Sequence, residues 1–511
     1  MIGAAPRVPP GLPPAPDADS SMRAAARIGR NFSFRMAAQI LSALINVGAM
    51  VLLGNYLNAA GYGDYVFYYA LIPLIASLSD LGAGVMITKG VARDKLLGPR
   101  FYGDAILIKA AVGVPLLAVV GFTSWALLDP ARAALVTLVC ATALIDFSQD
   151  VSVWIVRAHE RLDLEAVLLL VSQLAWIGGI AVGAALHRSL PWLLAAATGA
   201  FLIRTAAGVW IVQRRFYRPR FDPDLARLRA FAAQALPFGL AMFIVVLYGR
   251  IGVLMLQAMA SKTDVALFNV GYMLSQPLGF VSTALSMAAF PVLARRAQRG
   301  HAAISSALRR TSKYQVLVTL PLTVGLFLLS DRVIPLLLHG ADFARAGFAL
   351  RLMSLGLAFI FINLMSRYVL AALDRQRTYL RAVLVGLALN LAVGVLLIPR
   401  LGFAGACIAQ LAGEASILVM CQRALTSYVR TGELLRLSVR PALAAFGMAV
   451  VVWLLHSWNL GLVVVTGAVT YGALLFALRA FTDEELKLMR GVLASFHVPG
   501  AASLDRAEPR S

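Results

Sequence analysis

Charge is scarce in this chain: 14% of its residues are Asp, Glu, Lys or Arg, against 60% hydrophobic residues. Soluble domains carry about 25% charged and about 45–50% apolar residues, so the composition excludes an ordinary soluble globular protein. Cysteine is rarer still. Cys140, Cys407 and Cys421 all stand inside apolar runs, where free thiols behave as small hydrophobes, so neither a disulfide nor a metal site is expected. Also missing are G-x-x-x-x-G-K-S/T, H-E-x-x-H, G-x-S-x-G and any Cys/His cluster. Without them nothing supports ATP-driven transport by this chain alone, an enzyme activity or a cofactor. No loop exceeds about 25 residues, too little for a separate catalytic domain.

What is present is apolar sequence in long blocks. A helix needs about 20 apolar residues to cross the hydrocarbon core, because its backbone polar groups must be satisfied within the segment. Such runs fall near 34–57, 65–87, 105–128, 133–156, 166–186 and 191–212, and, after a basic linker at 213–235, near 236–258, 266–292, 314–330, 347–369, 382–398, 404–422, 441–457 and 462–478. The predicted fold is therefore an all-α membrane protein of about 14 helices. Residues 1–33 and 491–511 read as cytoplasmic tails, the first disordered and too late in its apolar onset for a cleaved signal peptide.

The surplus of 46 Lys+Arg over 25 Asp+Glu would suggest nucleic acid in a soluble protein. Here it sits in alternate loops. "KGVARDKLLGPR", "RRFYRPRF", "RRAQRGH" and "DRQR" share one side with the tails, whereas "NAAGYGD" and "SWNLG" on the other carry almost no Lys or Arg. The positive-inside rule then puts both termini in the cytoplasm, and no nucleic-acid partner is expected.

The sequence also repeats. "GYGDYVFYYAL" aligns with "DVALFNVGYML", setting Gly63 against Ala266, Tyr65 against Phe268, Tyr69 against Tyr272 and Leu71 against Leu274. "ERLDLEAVLL" aligns with "QRTYLRAVLV", setting Arg161 against Arg377, Leu164 against Leu380 and Ala166 against Ala382. Each pair relates a helix to the one six positions later. Two six-helix lobes, 34–212 and 236–422, would follow, with two extra helices over 423–490 and a substrate path between the lobes.

Ionisable residues inside the runs are the functional candidates, because hydrocarbon makes them costly. The basic set is Arg35, Lys109, Arg204, Arg250, Arg351 and Arg367; the acidic set is Asp80, Asp146, Asp150 and Glu414. Arg35, Lys109 and Arg367 lie within about two turns of a cytoplasmic end and could snorkel to headgroups, as could Arg351 at the outer end. Arg250 and Arg204 lie deeper. Arg250 suits a cavity, and Arg204 suits either a cavity or an ion pair with Asp146 or Asp150. Those two carboxylates stand four apart on one helix face, with Gln149 beside them, and suit a proton or cation site or a structural brace. Pro73, Pro115, Pro277 and Pro321 fall inside runs, as hinges or static kinks.

These motifs resemble a known family. "AAGYGDY", "LSDLGAG", "RAHERLDLEA", "YGRIGVLML", "AFPVLARRA", "LAALDRQRTYLRA", "LNLAVGVLLIPRLGFAGACIAQLAGEA" and "RAFTDEELKLM" follow the order and spacing of the polysaccharide-export flippases. These belong to the multidrug/oligosaccharidyl-lipid/polysaccharide (MOP) exporter superfamily. The resemblance implies two pseudo-symmetric lobes around a positively lined cavity. It implies flipping of an undecaprenyl-diphosphate-linked oligosaccharide across the bacterial cytoplasmic membrane, with the bilayer and a polysaccharide polymerase complex as partners. Arg250 is similar to the family's helix-7 arginine and Asp80 to the aspartate of its helix-2 "DLG" motif. Relatives often have Arg-Ile-Asp where this chain has Arg250, Ile251, Gly252, which removes a neighbouring carboxylate. A diphosphate crossing about 30 Å of apolar barrier needs a fixed cation, and arginine forks suit phosphate. Tyr65, Tyr68, Tyr69 and Trp154 could stack on sugars, or the tyrosines could anchor at the interface. A cation-coupled drug exporter, a peptidoglycan-precursor flippase and a passive scaffold of polysaccharide synthesis are the alternatives.

Overall fold

The computed structural model describes residues 18–80, 82–222, 224–481 and Glu485, with side chains from Phe34 onward except at Val85, Lys89, Phe147, Ser148, Gln149 and Thr431. The readings of 1–17 and 491–511 as tails, and of the Gln149 side chain, fall outside these residues. Helices joined by short loops make up the described residues, and no strand occurs among them: α1 (Ala18–Asp80), α2 (Ala83–Arg93), α3 (Gly98–Leu127), α4 (Pro130–Ala158), α5 (Leu162–Ala185), α6 (Leu190–Arg215), α7 (Leu225–Met259), α8 (Lys262–Ser275), α9 (Gly279–Gln298), α10 (His301–Leu337), α11 (Ala346–Ala372), α12 (Gln376–Leu401), α13 (Phe403–Leu425), α14 (Thr431–Leu454) and α15 (Leu460–Ala477), with three short 3₁₀ turns.

Among the described residues, 13 helical stretches are long and apolar enough to cross a membrane. The first, Phe34–Asp80, spans 47 residues and bends at Asn58, whose φ of 57° and ψ of 176° are non-helical. At about 1.5 Å per residue it is long enough for two crossings, which recovers the fourteen expected. The chain is a multi-pass membrane protein. Helix starts earlier than expected in α1, at Ala18 rather than 34, where an Ala- and Arg-rich segment favours it. The second apolar run, expected over 65–87, stops at Asp80. Gly82 is left-handed there (φ 76°), and a Cβ on it would collide with the backbone of Ala235 and Gly239, so only glycine allows the break.

The chain divides into two compact units, Met1–Ala49 with Leu71–Phe243, and Met50–Ala70 with Ile244–Ser511. This differs from the lobes drawn from sequence, since the middle of α1 belongs with the second half of the chain. The reason is local. Asn55 Nδ2 donates to the Leu337 carbonyl at 2.9 Å, Lys262 Nζ reaches Asp64 at 2.7 Å, and Asn269 donates to the Tyr62 hydroxyl at 2.8 Å. Gly63 faces the Lys262 backbone so closely that a Cβ would overlap its carbonyl.

Small residues let the membrane helices approach, as expected where lipid gives no hydrophobic drive between them. In the first unit Gly179 meets Ala196, Gly208 meets Ser152, and Thr142 and Thr198 share a 2.6 Å bond. In the second, Gly386 faces Ile417 and Gly405 faces the backbone of Leu397. There α14 and α15 pack on α10 through Ala444, Met448, Val452 and Leu475, and the Tyr471 hydroxyl donates to the Leu317 carbonyl at 2.8 Å.

The repeat appears in fine detail. Asn58 Oδ1 accepts from the Gly61 amide at 2.9 Å, and Ser261 Oγ accepts from the Asp264 amide at 3.1 Å. These are the same helix-start bond in the register that aligns Tyr65 with Phe268. The aligned rings also stack alike: Tyr65 on Tyr69 at 5.6 Å and 17°, Phe268 on Tyr272 at 6.1 Å and 15°. The second pairing needs correcting by two residues. Glu160 and Asp374 both take φ 56°, and the Arg161 and Arg375 amides close the same turn onto the Val156 and Leu370 carbonyls. Turn geometry therefore sets Arg161 against Arg375, not Arg377.

Candidate functional site

In the first unit the charges gather around Lys109. Its side chain, on α3, is 2% exposed; Nζ lies 3.5 Å from Asp80 Oδ1 and 4.2 Å from the Trp154 ring centroid. The separation marks a long ion pair, since Asp80 Oδ1 makes no hydrogen bond within normal geometry. Asp150 and Asp146, on α4, also act electrostatically on Lys109. The snorkelling reading of Lys109 therefore fails, because a fully buried ammonium is held by carboxylates and an aromatic face. Trp154 is 8% exposed and packed against Gly84, so it is not open to a sugar. A cavity of about 330 Å³ abuts the cluster, lined by Lys109, Tyr102, Ile145, Val151 and Val209.

Arg204 does not complete this cluster. Among the described residues it has no ion pair, and its Nε is buried without a hydrogen-bond partner; the carboxylates considered for it act on Lys109 instead. Arg35 is not snorkelling either: it pairs with Glu165 at 3.2 Å, which Arg157 also holds at 2.7 Å. Sequence reasoning passed over Glu165 and Arg157, although "RAHERLDLEA" contained both. Nearby, outside the spans, burial pushes the Tyr217 phenol up.

In the second unit the buried centre is Glu414 on α13. It accepts from the Tyr248 hydroxyl at 3.1 Å, Asn363 Nδ2 at 2.8 Å and Gln410 Nε2 at 3.3 Å, while Asn390 donates to Gln410 at 2.9 Å. Four helices, α7, α11, α12 and α13, thus meet in one hydrogen-bonded network. Only Glu414 was singled out from sequence; lone Asn, Gln and Tyr residues in apolar helices gave no comparable signal.

Arg250 lies two residues beyond Tyr248 on α7, half-buried, with no ion pair among the described residues. Tyr272 stands within its electrostatic range. A carboxylate could not simply be restored beside it, because a Cβ on Gly252 would sit 2.6 Å from the Phe268 ring. Arg351 pairs with Asp331 and lies 5.8 Å from the Phe327 ring centroid, so it is braced within the protein rather than extended to headgroups. Arg367 is exposed, 5.9 Å from the Tyr368 ring. Tyr65 and Tyr68 are buried, closed to both a sugar and the interface. No group of three His, Cys, Asp or Glu residues able to hold a metal occurs among the described residues.

Helix content and apolar length together define a polytopic membrane protein of the MOP fold. Its helices superpose on the lipid II flippase MurJ in an inward closed conformation with a TM-score of 0.72, at 14% identity over 86% of this chain and 97% of that one. They superpose on an inward-facing multidrug resistance MATE family transporter with a TM-score of 0.61, at 15% identity over 79% and 98%. The profile of the family described as polysaccharide biosynthesis protein matches residues 28–296, and the MatE profile matches 237–396. The chain belongs to the polysaccharide biosynthesis protein family, within the MOP exporter superfamily. Curated relatives include a probable lipid II flippase MurJ of Rhizobium tropici, 30% identical over 47% of this chain and 46% of its own length. Another, from Rhizobium meliloti, is 27% identical over 50% and 49%. The chain spans about half the length of the curated relatives it matches.

Proposed function

We propose that this protein flips an undecaprenyl-diphosphate-linked polysaccharide repeat unit from the inner to the outer leaflet of the bacterial cytoplasmic membrane by alternating access, with both termini cytoplasmic. The observation that carries this reading is Arg250, a half-buried guanidinium within a 35-residue apolar helix and without an ion pair among the described residues. An uncompensated cation in a spanning helix suits an anionic headgroup better than a cationic drug. Arginine keeps its charge when partly buried and offers forked donors to phosphate oxygens. Asp80, Asp146 and Asp150 around Lys109 are proposed as the coupling group, since three carboxylates against one buried ammonium can take up a cation or proton. A polysaccharide polymerase complex is the proposed partner.

A second reading has its own support. The two Rhizobium relatives and the MurJ structure bear the name of lipid II flippases, so the peptidoglycan precursor is the competing cargo. Both cargoes present a polyprenyl diphosphate and differ in the sugar. Proteoliposomes holding a fluorescent undecaprenyl-diphosphate oligosaccharide, and in parallel fluorescent lipid II, distinguish them by leaflet exchange under imposed ion gradients. The intact chain is expected to exchange the oligosaccharide lipid. Arg250→Ala should lose that exchange while folding normally, and Arg250→Lys should keep part of it. Exchange of lipid II alone would decide for the second cargo; exchange of neither would reject the flippase reading.

A further inference from the structure

In the first unit the basic linker leaves α6, runs back along the start of α3 and then enters α7. It is held there by close contacts. Tyr217 packs on Gly98, where a Cβ would lie 2.3 Å from the phenol ring, and a Cβ on Gly103 would overlap the Arg220 carbonyl. The Arg220 amide donates to the Pro99 carbonyl at 2.8 Å, and the His159 ring lies 4.3 Å from that of Phe216. Asp224 Oδ1 accepts from the Ala226 amide at 3.1 Å and starts α7. The two segments so joined expose large apolar side chains outside the apolar runs. Leu96, in the 3₁₀ turn Lys95–Leu97, is 89% exposed and Leu225 is 71% exposed; Leu97 and Phe221 are exposed beside them. Leu97 and Arg227 line one cavity of about 300 Å³, which sets the turn next to the start of α7. Lys95, Arg218 and Arg220 are exposed in the same segments and make no ion pair among the described residues, whereas Asp222 answers Arg100 at 3.5 Å and Arg227 at 3.2 Å.

We propose that the 95–97 turn and the 218–225 part of the linker form a membrane-seated platform that favours anionic lipid. Leu96, Leu97, Phe221 and Leu225 enter the boundary between headgroups and acyl chains, and Lys95, Arg218 and Arg220 meet lipid phosphates. Depth supports this. Pro99, to which the linker is bonded, stands six residues before the apolar run that begins near 105, about 9 Å along a helix and close to the thickness of a headgroup layer. On α6, Trp210 is exposed with the Arg214 guanidinium 5.5 Å from its ring centroid, an aromatic and a cation paired as at a membrane–water border. Exposed aliphatic groups among basic ones are the pattern of a segment that lies in the interface plane. The surplus of basic residues orients this end to the cytoplasmic leaflet, where anionic lipid favours contact by about fivefold per basic residue. An acidic protein is a poorer fit, because the linker is tied to a helix start at headgroup depth. The proposal goes beyond the flippase reading and does not depend on it.

The test uses the full chain in nanodiscs of phosphatidylcholine, with and without phosphatidylglycerol. Cys140, Cys407 and Cys421 are buried, so a bimane label goes selectively to an introduced thiol. The label on Leu225→Cys is expected to be quenched by a nitroxide carried high on the lipid acyl chain and shielded from acrylamide in the water. Adding phosphatidylglycerol should raise the lipid quenching about twofold or more, and Lys95→Gln/Arg218→Gln/Arg220→Gln should cancel that rise. Leu96→Cys repeats the measurement on the other segment, so the test stands even if one labelled variant does not fold; monodisperse elution establishes folding. Free quenching by acrylamide with none from the lipid would overturn the proposal, since the linker would then lie in water. Equal lipid quenching with and without phosphatidylglycerol would overturn the preference for anionic lipid. Shielding from both quenchers would also overturn it, because the platform would then be covered by protein.

Discussion

Replacing Lys109 by Met removes the cation around which Asp80, Asp146 and Asp150 gather, with little change in volume. At 3.5 Å and an effective dielectric constant of about 20, the attraction to Asp80 is about 5 kcal/mol before solvation is counted. The Trp154 face at 4.2 Å adds about 1–2 kcal/mol. Burying an ammonium that is 2% exposed offsets much of this. What a single substitution leaves behind is carboxylates without their counter-ion, and removing one partner of a buried pair costs about 3–5 kcal/mol. Lys109→Met is therefore expected to destabilise the protein by about 3–5 kcal/mol. Asp80→Asn/Lys109→Met should cost about 2 kcal/mol less than the lysine change alone, because the facing charge goes too. The parent, both single variants and the double variant, unfolded in mixed micelles by titrated detergent and followed by far-UV circular dichroism, complete the cycle. A Lys109→Met loss below about 1 kcal/mol, or single losses that simply add in the double variant, would refute the reasoning.

Glu414→Leu should cost about 3 kcal/mol or more in the same unfolding measurement, because Tyr248, Asn363 and Gln410 each lose their buried acceptor. Glu414→Gln, which keeps the shape and an acceptor oxygen, should cost less than half of that. Gly63→Ala should destabilise by about 1–3 kcal/mol through overlap with the Lys262 backbone, and a neutral result would mean that α1 does not approach α8 so closely.

Helices were the most legible feature, because a membrane span has a length and a composition that no other element shares. Where the limits moved, special backbone was responsible. Gly82 ends α1 through a left-handed turn against α7, and the bend at Asn58 holds two crossings in one helical stretch. The repeat was legible in aromatic spacing, and the aligned rings stack alike; its second half slipped by two residues because Arg377 mimics the matched arginine while the turn is set at Asp374. The candidate residues were found by their cost in hydrocarbon, but their partners were not. Lys109 looked able to snorkel, and Arg35 lay near a helix end; both are held by carboxylates on other helices.

The sequence by itself determined that this is an all-helical membrane protein, repeated internally and richer in basic than in acidic residues, because hydropathy, loop charge and repetition are written along the chain. Tertiary structure alone decided which charges neutralise one another. Asp80 and Lys109 are separated by a helix and a turn, and Tyr248 and Glu414 by 166 positions. Packing in three dimensions brings each pair together while leaving Arg250 without an ion pair among the described residues. The energy of a buried charge depends on the few ångströms around it, and that distance is a property of the fold.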